Sequence, residues 1–157
     1  MATWNRFWKL GRRDRIEALQ VGAVILASRI GLRVAGYRRW KFLLSRLTSR
    51  NVCASHIAKN NCVAPADPGH FARIAESAAR NLPFHPTCLE RSFGLWWLLR
   101  RRGFDADLRI GGRKDGKRFE AHAWVEYSGT PLNDVGDEHN RFSAFGNSSA
   151  FVTRDLP

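Results

Sequence analysis

Residues 87–134 read TCLERSFGLWWLLRRRGFDADLRIGGRKDGKRFEAHAWVEYSGTPLND. Thr87 and Glu90 stand three apart at the head of an apolar run, the pattern of a capping box, in which two side chains satisfy the free amides of a helix start reciprocally. Cys88 is then the first helical residue. Leu89, Phe93, Trp96, Trp97 and Leu99 make this the central, strongly apolar helix. Arg100, Arg101 and Arg102 suit the negative end of its dipole, and Gly103 supplies a natural stop.

The pattern then changes period. Ala106, Leu108 and Ile110 alternate with Asp107 and Arg109, as in a strand with one buried face. Asp115-Gly116 is a hairpin signal. Phe119, Ala121, Ala123 and Val125 then alternate with Glu120, His122, Trp124 and Glu126. If Asp115-Gly116 is a two-residue turn, Ala121 falls opposite Ile110 and Ala123 opposite Leu108, so both small apolar sets share one face. His122 and Trp124 share the other. Ser128-Gly129-Thr130 turns the chain again, and folding back through Pro131–Asn133 puts Asp134 within a residue or two of the position opposite His122.

Upstream the signals are helical. Asp14-Arg15-Ile16-Glu17 has capping-box spacing, and Ile16, Leu19, Ala23, Leu26, Ile30 and Val34 recur behind it as the expected buried stripe. Gly36 is expected to interrupt. Trp40, Leu43, Leu44 and Leu47 give a second helix its stripe. Thr48 to Ala66 reads as polar and irregular; its Cys53, His56 and Cys62, with His70 beyond, lack zinc-site spacing and read as incidental. Asp67-Pro68 is a clean helix start, followed by an apolar face of Phe71, Ile74, Ala75, Ala78 and Leu82. Pro83 and Pro86 end that helix and force an extended connection into Thr87. The sum is an α+β chain in which a central helix packs on a small antiparallel sheet, preceded by further helices. Its regions are a basic helical part at 1–50, a polar connector at 51–66 and a core at 67–157.

The chain has 157 residues, enough for one domain with a core that needs no disulfides. Three cysteines, an odd count, point to reduced thiols and a cytoplasmic setting. No signal-peptide pattern opens the sequence, and the apolar run from Val21 to Ala27 is too short to span a bilayer. Net charge is +12 and unevenly spread. Residues 1–50 hold 12 Lys/Arg against 2 Asp/Glu, a net of +10; the remainder holds 14 against 12, a net of +2. Arg29, Arg33, Arg38 and Arg39 belong to this basic part. Two readings stand for it: a solvated face of helices packed on the core, or a docking surface for an acidic partner.

A cysteine at a helix start, a histidine in a strand and an aspartate at the next strand end are the parts of a nucleophile system. A helix N-terminus and a nearby imidazole both lower a thiol's pKa. His122 could take the proton of Cys88 and return it to a leaving amine, Asp134 could hold the imidazole tautomer, and the helix amides could receive an oxyanion. Each residue alone has an ordinary structural use; the order in which they come favours catalysis. His85, in the Pro-flanked connector, is the rival base. No cofactor and no metal are needed for this chemistry.

That order resembles the transglutaminase-like branch of the papain-type cysteine enzymes. The blocks Cys88–Ser92, Leu98–Gly103, Leu108–Gly111, Ala121–Glu126 and Pro131–Asp134 are similar to the lasso-peptide leader peptidases, strongly over 84–145 and loosely over the N-terminal helices. Gly112 departs from the pattern, where a bulkier strand residue is expected. The resemblance implies a transglutaminase-like core and a cysteine peptidase that cuts the leader from a ribosomally made precursor, with Cys88, His122 and Asp134 as triad. A partner cyclase would then close a macrolactam with ATP. Because the sequence opens on the basic helices, a separate leader-recognition protein is expected. Two other classes compete: a transglutaminase-like acyltransferase with an amine acceptor, and a non-enzymatic basic nucleic-acid binder, which a pI of 11.0 would suit. The basic residues carry no DNA-reading motif, and the tryptophans cluster on apolar helix faces, so no nucleic-acid partner is expected.

Overall fold

The structure, a computed structural model, describes residues 11–57, 67–115, 118–134 and 138–144. Four helices come first: α1 (Arg12–Val34), α2 (Gly36–Ile57), α3 (Pro68–Arg80) and α4 (Cys88–Arg101). Strands β1 (Ala106–Asp115), β2 (Arg118–Tyr127), β3 (Thr130–Pro131) and β4 (Ser143–Ala144) follow, with a 3-10 turn at Glu138–Arg141 before β4. The sheet is antiparallel with the order β3-β2-β1-β4. The α+β expectation holds.

One buried cluster runs through the molecule. It joins Val21 and Ile25 of α1, Leu44 of α2, Phe71 and Ile74 of α3, Phe93, Leu95 and Leu99 of α4, and Leu108 and Val125 of the sheet. Two of the three helix starts read from sequence are present. Asp67 accepts from the Gly69 amide, with Pro68 at the first helical position. Thr87 and Glu90 form a complete capping box at 3.3 and 2.9 Å, worth about 1 kcal/mol by comparison with an alanine cap. Gly103 follows the end of α4 with φ +86, a conformation only glycine adopts without strain.

The N-terminal helices differ from expectation in three ways. The first is the start of α1, which is at Arg12 behind Gly11, with no side-chain cap. Asp14 and Glu17 serve tertiary contacts instead: Asp14 meets His70, and Glu17 is buried against Arg102 at the end of α4. The second is the buried face of α1, which is Ala18, Val21, Ile25, Ser28 and Gly31. Ile16, Leu19, Leu26, Ile30 and Val34 are exposed, Val34 to 82%. The reason lies in α4, where Gly94 lets α1 approach so closely that a Cβ there would stand 2.8 Å from Ile25 Cγ1. Ser28 is tolerated inside because Trp40 Nε1 donates to its hydroxyl at 2.9 Å. On α2, likewise, Tyr37, Trp40, Leu44 and Thr48 turn inward, while Leu43 and Leu47 are exposed. The third is the length of α2. No glycine or proline falls between Tyr37 and Ile57, and the helix runs through to Ile57 rather than becoming irregular at Thr48.

The hairpin register also differs. Asp115 pairs with Arg118, and Ala123 lies opposite Ile110 with Ala121 opposite Gly112. The shift is two residues, so the faces are unchanged: Leu108 and Val125 remain on the core side, and His122 and Trp124 on the other. Strand β1 does not fray at Gly112 but continues to Asp115.

Candidate active site

Cys88 is a free thiol at the first position of α4, partly exposed. Its place there follows from the Thr87–Glu90 box. One turn along the same face, Ser92 is fully buried, and its hydroxyl donates to the carbonyl of Ala123 at 2.9 Å. Asn133 Nδ2 donates to that hydroxyl at 2.9 Å, and Asn133 Oδ1 accepts from the Val125 amide at 2.8 Å. Leu132 N–H donates to the Val125 carbonyl, so the polar groups of Val125 face the β3 side. By the two-residue alternation of a strand, those of Ala123 face that side too. β3 pairs only at Glu126 and Tyr127 and leaves this stretch of β2 open. Helix α4 therefore meets β2 at its vacated edge, although its apolar packing is on the Leu108/Val125 face rather than the His122/Trp124 face.

His122 is 13% exposed, and its Nε2 lies 3.1 Å from Asp134 Oδ1. A ring nitrogen facing a carboxylate carries its proton, which leaves Nδ1 able to accept one. The ring stacks on Trp124 and on Phe142, with centroids at 5.9 and 5.3 Å. Phe142 reaches it because Gly111, opposite His122, has no side chain: a Cβ there would lie 2.9 Å from Phe142 Cβ and 3.0 Å from the Trp124 ring. The glycine with a packing reason is thus Gly111, next to the Gly112 that stood out in the sequence.

The side chain of Asp134 is 1% exposed. Burial by itself would raise its pKa. The His139 amide, the His139 ring and the His122 ring oppose that and hold the carboxyl below its ordinary value. His139 Nδ1 lies 2.5 Å from Oδ2 and its backbone N–H donates to the same oxygen at 2.6 Å. Nothing in the sequence singles out this histidine, which sits in a polar segment without periodicity.

The structure thus brings His122 and Asp134 together, and sets Cys88 one helical turn from the Ser92 link to the residue after His122. Among the described residues no hydrogen bond joins Cys88 to His122. His85 is exposed in the connector and makes no contact with Asp134. Cys53 and His56 lie in α2, Cys62 lies outside the described residues, and His70 pairs with Asp14. Among the described residues no group of three His, Cys, Asp or Glu could hold a metal, and no helix is long and apolar enough to cross a membrane. Of the four arginines singled out, Arg33, Arg38 and Arg39 are exposed, while Arg29 lies over the Phe84 ring at 4.6 Å.

Comparison with curated proteins returned no match, and neither did comparison with solved structures. The family described as the transglutaminase-like superfamily matches residues 31–146, a span that takes in α2, α3, α4 and all four strands. The chain belongs to the transglutaminase-like superfamily.

Proposed function

We propose that this protein is a cysteine peptidase that removes the leader from a ribosomally made lasso precursor, with Cys88 as nucleophile, His122 as base and acid, and Asp134 as the group that orients the imidazole. The observation that carries the reading is the His122 Nε2–Asp134 Oδ1 contact at 3.1 Å, on a histidine whose ring is held by two aromatic neighbours. Asp134 accepts the Nε2–H hydrogen bond and fixes the tautomer; Nδ1 is then the atom that accepts from the Cys88 thiol. The position of Cys88 at a capped helix start and the anchoring of that helix through Ser92 support the same assignment.

The Cys88 thiolate attacks the scissile carbonyl, and the resulting oxyanion is met by the free amides of the α4 N-terminus, that of Cys88 among them. His122 gives its proton to the departing amine, the new N-terminus of the core peptide. The leader stays as a thioester on Cys88. Water attacks that thioester with His122 accepting its proton, the thiolate leaves, and the leader departs as a carboxylic acid. The superfamily includes cysteine peptidases and acyltransferases, which share the thioester and differ in whether water or an amine resolves it.

The substrate follows from the five sequence blocks similar to leader peptidases. The partners proposed with it are the precursor's leader, a separate recognition protein that holds the leader, and a cyclase that takes the freed core. Arg33, Arg38 and Arg39, with Arg29 beside them, are the proposed docking face for the leader or its recognition protein. The test is to incubate the protein with a precursor and recognition protein encoded beside it and to read products by mass spectrometry, with and without an added primary amine. A free leader acid and a free core, lost in Cys88→Ala and Cys88→Ser and kept in Cys53→Ala and Cys62→Ala, support the peptidase. An amine adduct of the leader as main product would make it an acyltransferase.

A further inference from the structure

We propose that His139 is a positioning residue that acts on His122 through Asp134. The proposal rests on the Cys88–His122–Asp134 assignment but not on the identity of the substrate. The carboxylate side chain of Asp134 is almost fully buried, so its charge is met by protein donors rather than water. It accepts on both oxygens. Oδ1 faces His122 Nε2, and Oδ2 receives the amide and Nδ1 of His139. Two donors on Oδ2 fix the rotation of the carboxylate. Oδ1 is therefore presented to His122 in one orientation, and the imidazole is held in the tautomer with its proton on Nε2.

The same turn acts on His122 a second time. The His139 carbonyl accepts from the Phe142 amide at 3.0 Å, and the Phe142 ring stacks on His122. β4 then ties the turn to β1 at Gly111 and Gly112. The turn at Glu138–Arg141, with Phe142 behind it, is in this way a brace for the imidazole, with His139 as its polar centre.

Among the described residues, the titratable groups facing His139 are Asp134 and, across the carboxylate, His122; Trp124 packs beside its ring. Arg113 of β1 lies over Phe142 and is paired with Glu120, so its charge is matched within the hairpin. Glu138 and Arg141 are the charged residues of the turn itself. In His139→Asn an amide N–H would stand near the place of Nδ1 without a titrating ring; in His139→Gln it would lie too far out.

The experiment compares His139→Ala, His139→Asn and His139→Gln with the full-length wild type in two assays. One is the pH dependence of Cys88 alkylation by iodoacetamide, which needs no peptide substrate; the other is precursor cleavage. His139→Ala is expected to move the midpoint of thiolate formation upward. It should also lower kcat by about 10- to 100-fold, the scale of one hydrogen bond to a buried charge, with KM changed less than about twofold. His139→Asn is expected to recover most of both, and His139→Gln little. Wild-type alkylation profiles in all three variants would overturn the proposal. If the alanine variant does not fold, equal kcat and equal alkylation midpoints for the asparagine and glutamine variants would overturn it just as well. A midpoint that shifts with His139, in a protein that cleaves no precursor, would support the brace and remove the leader-peptidase reading. An ordinary thiol profile in the wild type, unmoved by His122→Ala, would remove both.

Discussion

The hydroxyl of Ser92 donates to the carbonyl of Ala123, one turn along the helix from Cys88 and one residue along the strand from His122. With Asn133 on the other side of that hydroxyl, a single buried network joins α4, β2 and the segment that delivers Asp134. Ser92→Ala breaks two hydrogen bonds at once and leaves the Ala123 carbonyl without its helix partner. We expect about 1–3 kcal/mol of destabilisation and a fall in kcat larger than any change in KM. Asn133→Ala should act on the same network, so the double variant should lose less than the two singles together. Urea unfolding of the four proteins of that cycle checks it; full additivity would mean that the residues act separately.

Gly111→Ala is expected to be the most damaging small substitution in the sheet. Its methyl would enter the space held by Phe142 and the Trp124 ring, and both rings stack on His122. Overpacking of this kind costs about 1–3 kcal/mol. Because the neighbour that gives way also supports the imidazole, cleavage should fall even where the protein remains folded at the assay temperature. Circular dichroism melting and kcat on the same sample separate the two effects.

The Asp134 carboxyl titrates below its ordinary value of 3.8 in the folded protein. A carboxyl depressed by folding adds stability that is present above the unfolded value and is lost as the pH falls through the folded one. The stability that the ionised carboxyl adds over Asp134→Asn should therefore be lost as the pH falls below about 4. Denaturant unfolding at a series of pH values measures it. A gap between the two proteins that keeps widening below about pH 4 would contradict the direction given by the His139 and His122 hydrogen bonds.

Reversal of Arg33, Arg38 and Arg39 to Glu should raise KM for the precursor and leave kcat at saturation within about twofold. The three are exposed and lie on the helices that carry most of the chain's excess charge. Contacts of this type are screened beyond roughly 8–10 Å at moderate salt, so the difference from wild type should fade as salt rises. Arg29 is better left out of that variant, since its guanidinium packs on Phe84 and its loss would also disturb the connector leading to Cys88. A lowered kcat with unchanged KM in the folded triple variant would make these arginines something other than a docking face.

What the sequence determined by itself is what short-range chemistry decides. The Thr87–Glu90 box sets Cys88 at the start of a helix, because capping depends on residues three apart. Asp67-Pro68 starts another for the same reason. Alternation along β1 and β2 assigned the faces, and a two-residue shift of the pairing left them unchanged because side chains repeat every second residue. Counting back from the second turn brought Asp134 to His122. Tertiary structure alone decided the rest. Helix α1 carries two apolar stripes, and the buried one includes Glu17 and Ser28, polar residues that disguise it in sequence. They are admitted because Arg102 pairs with Glu17 and Trp40 donates to Ser28, contacts that come from other helices or their ends. Gly94 then selects that stripe by close approach. The Ser92–Asn133 network and the two bonds from His139 to Asp134 join residues whose spacing follows no helical or strand period, so nothing local announces them. They form because a buried carboxylate and a buried hydroxyl must find partners, and only the folded chain brings those partners within reach.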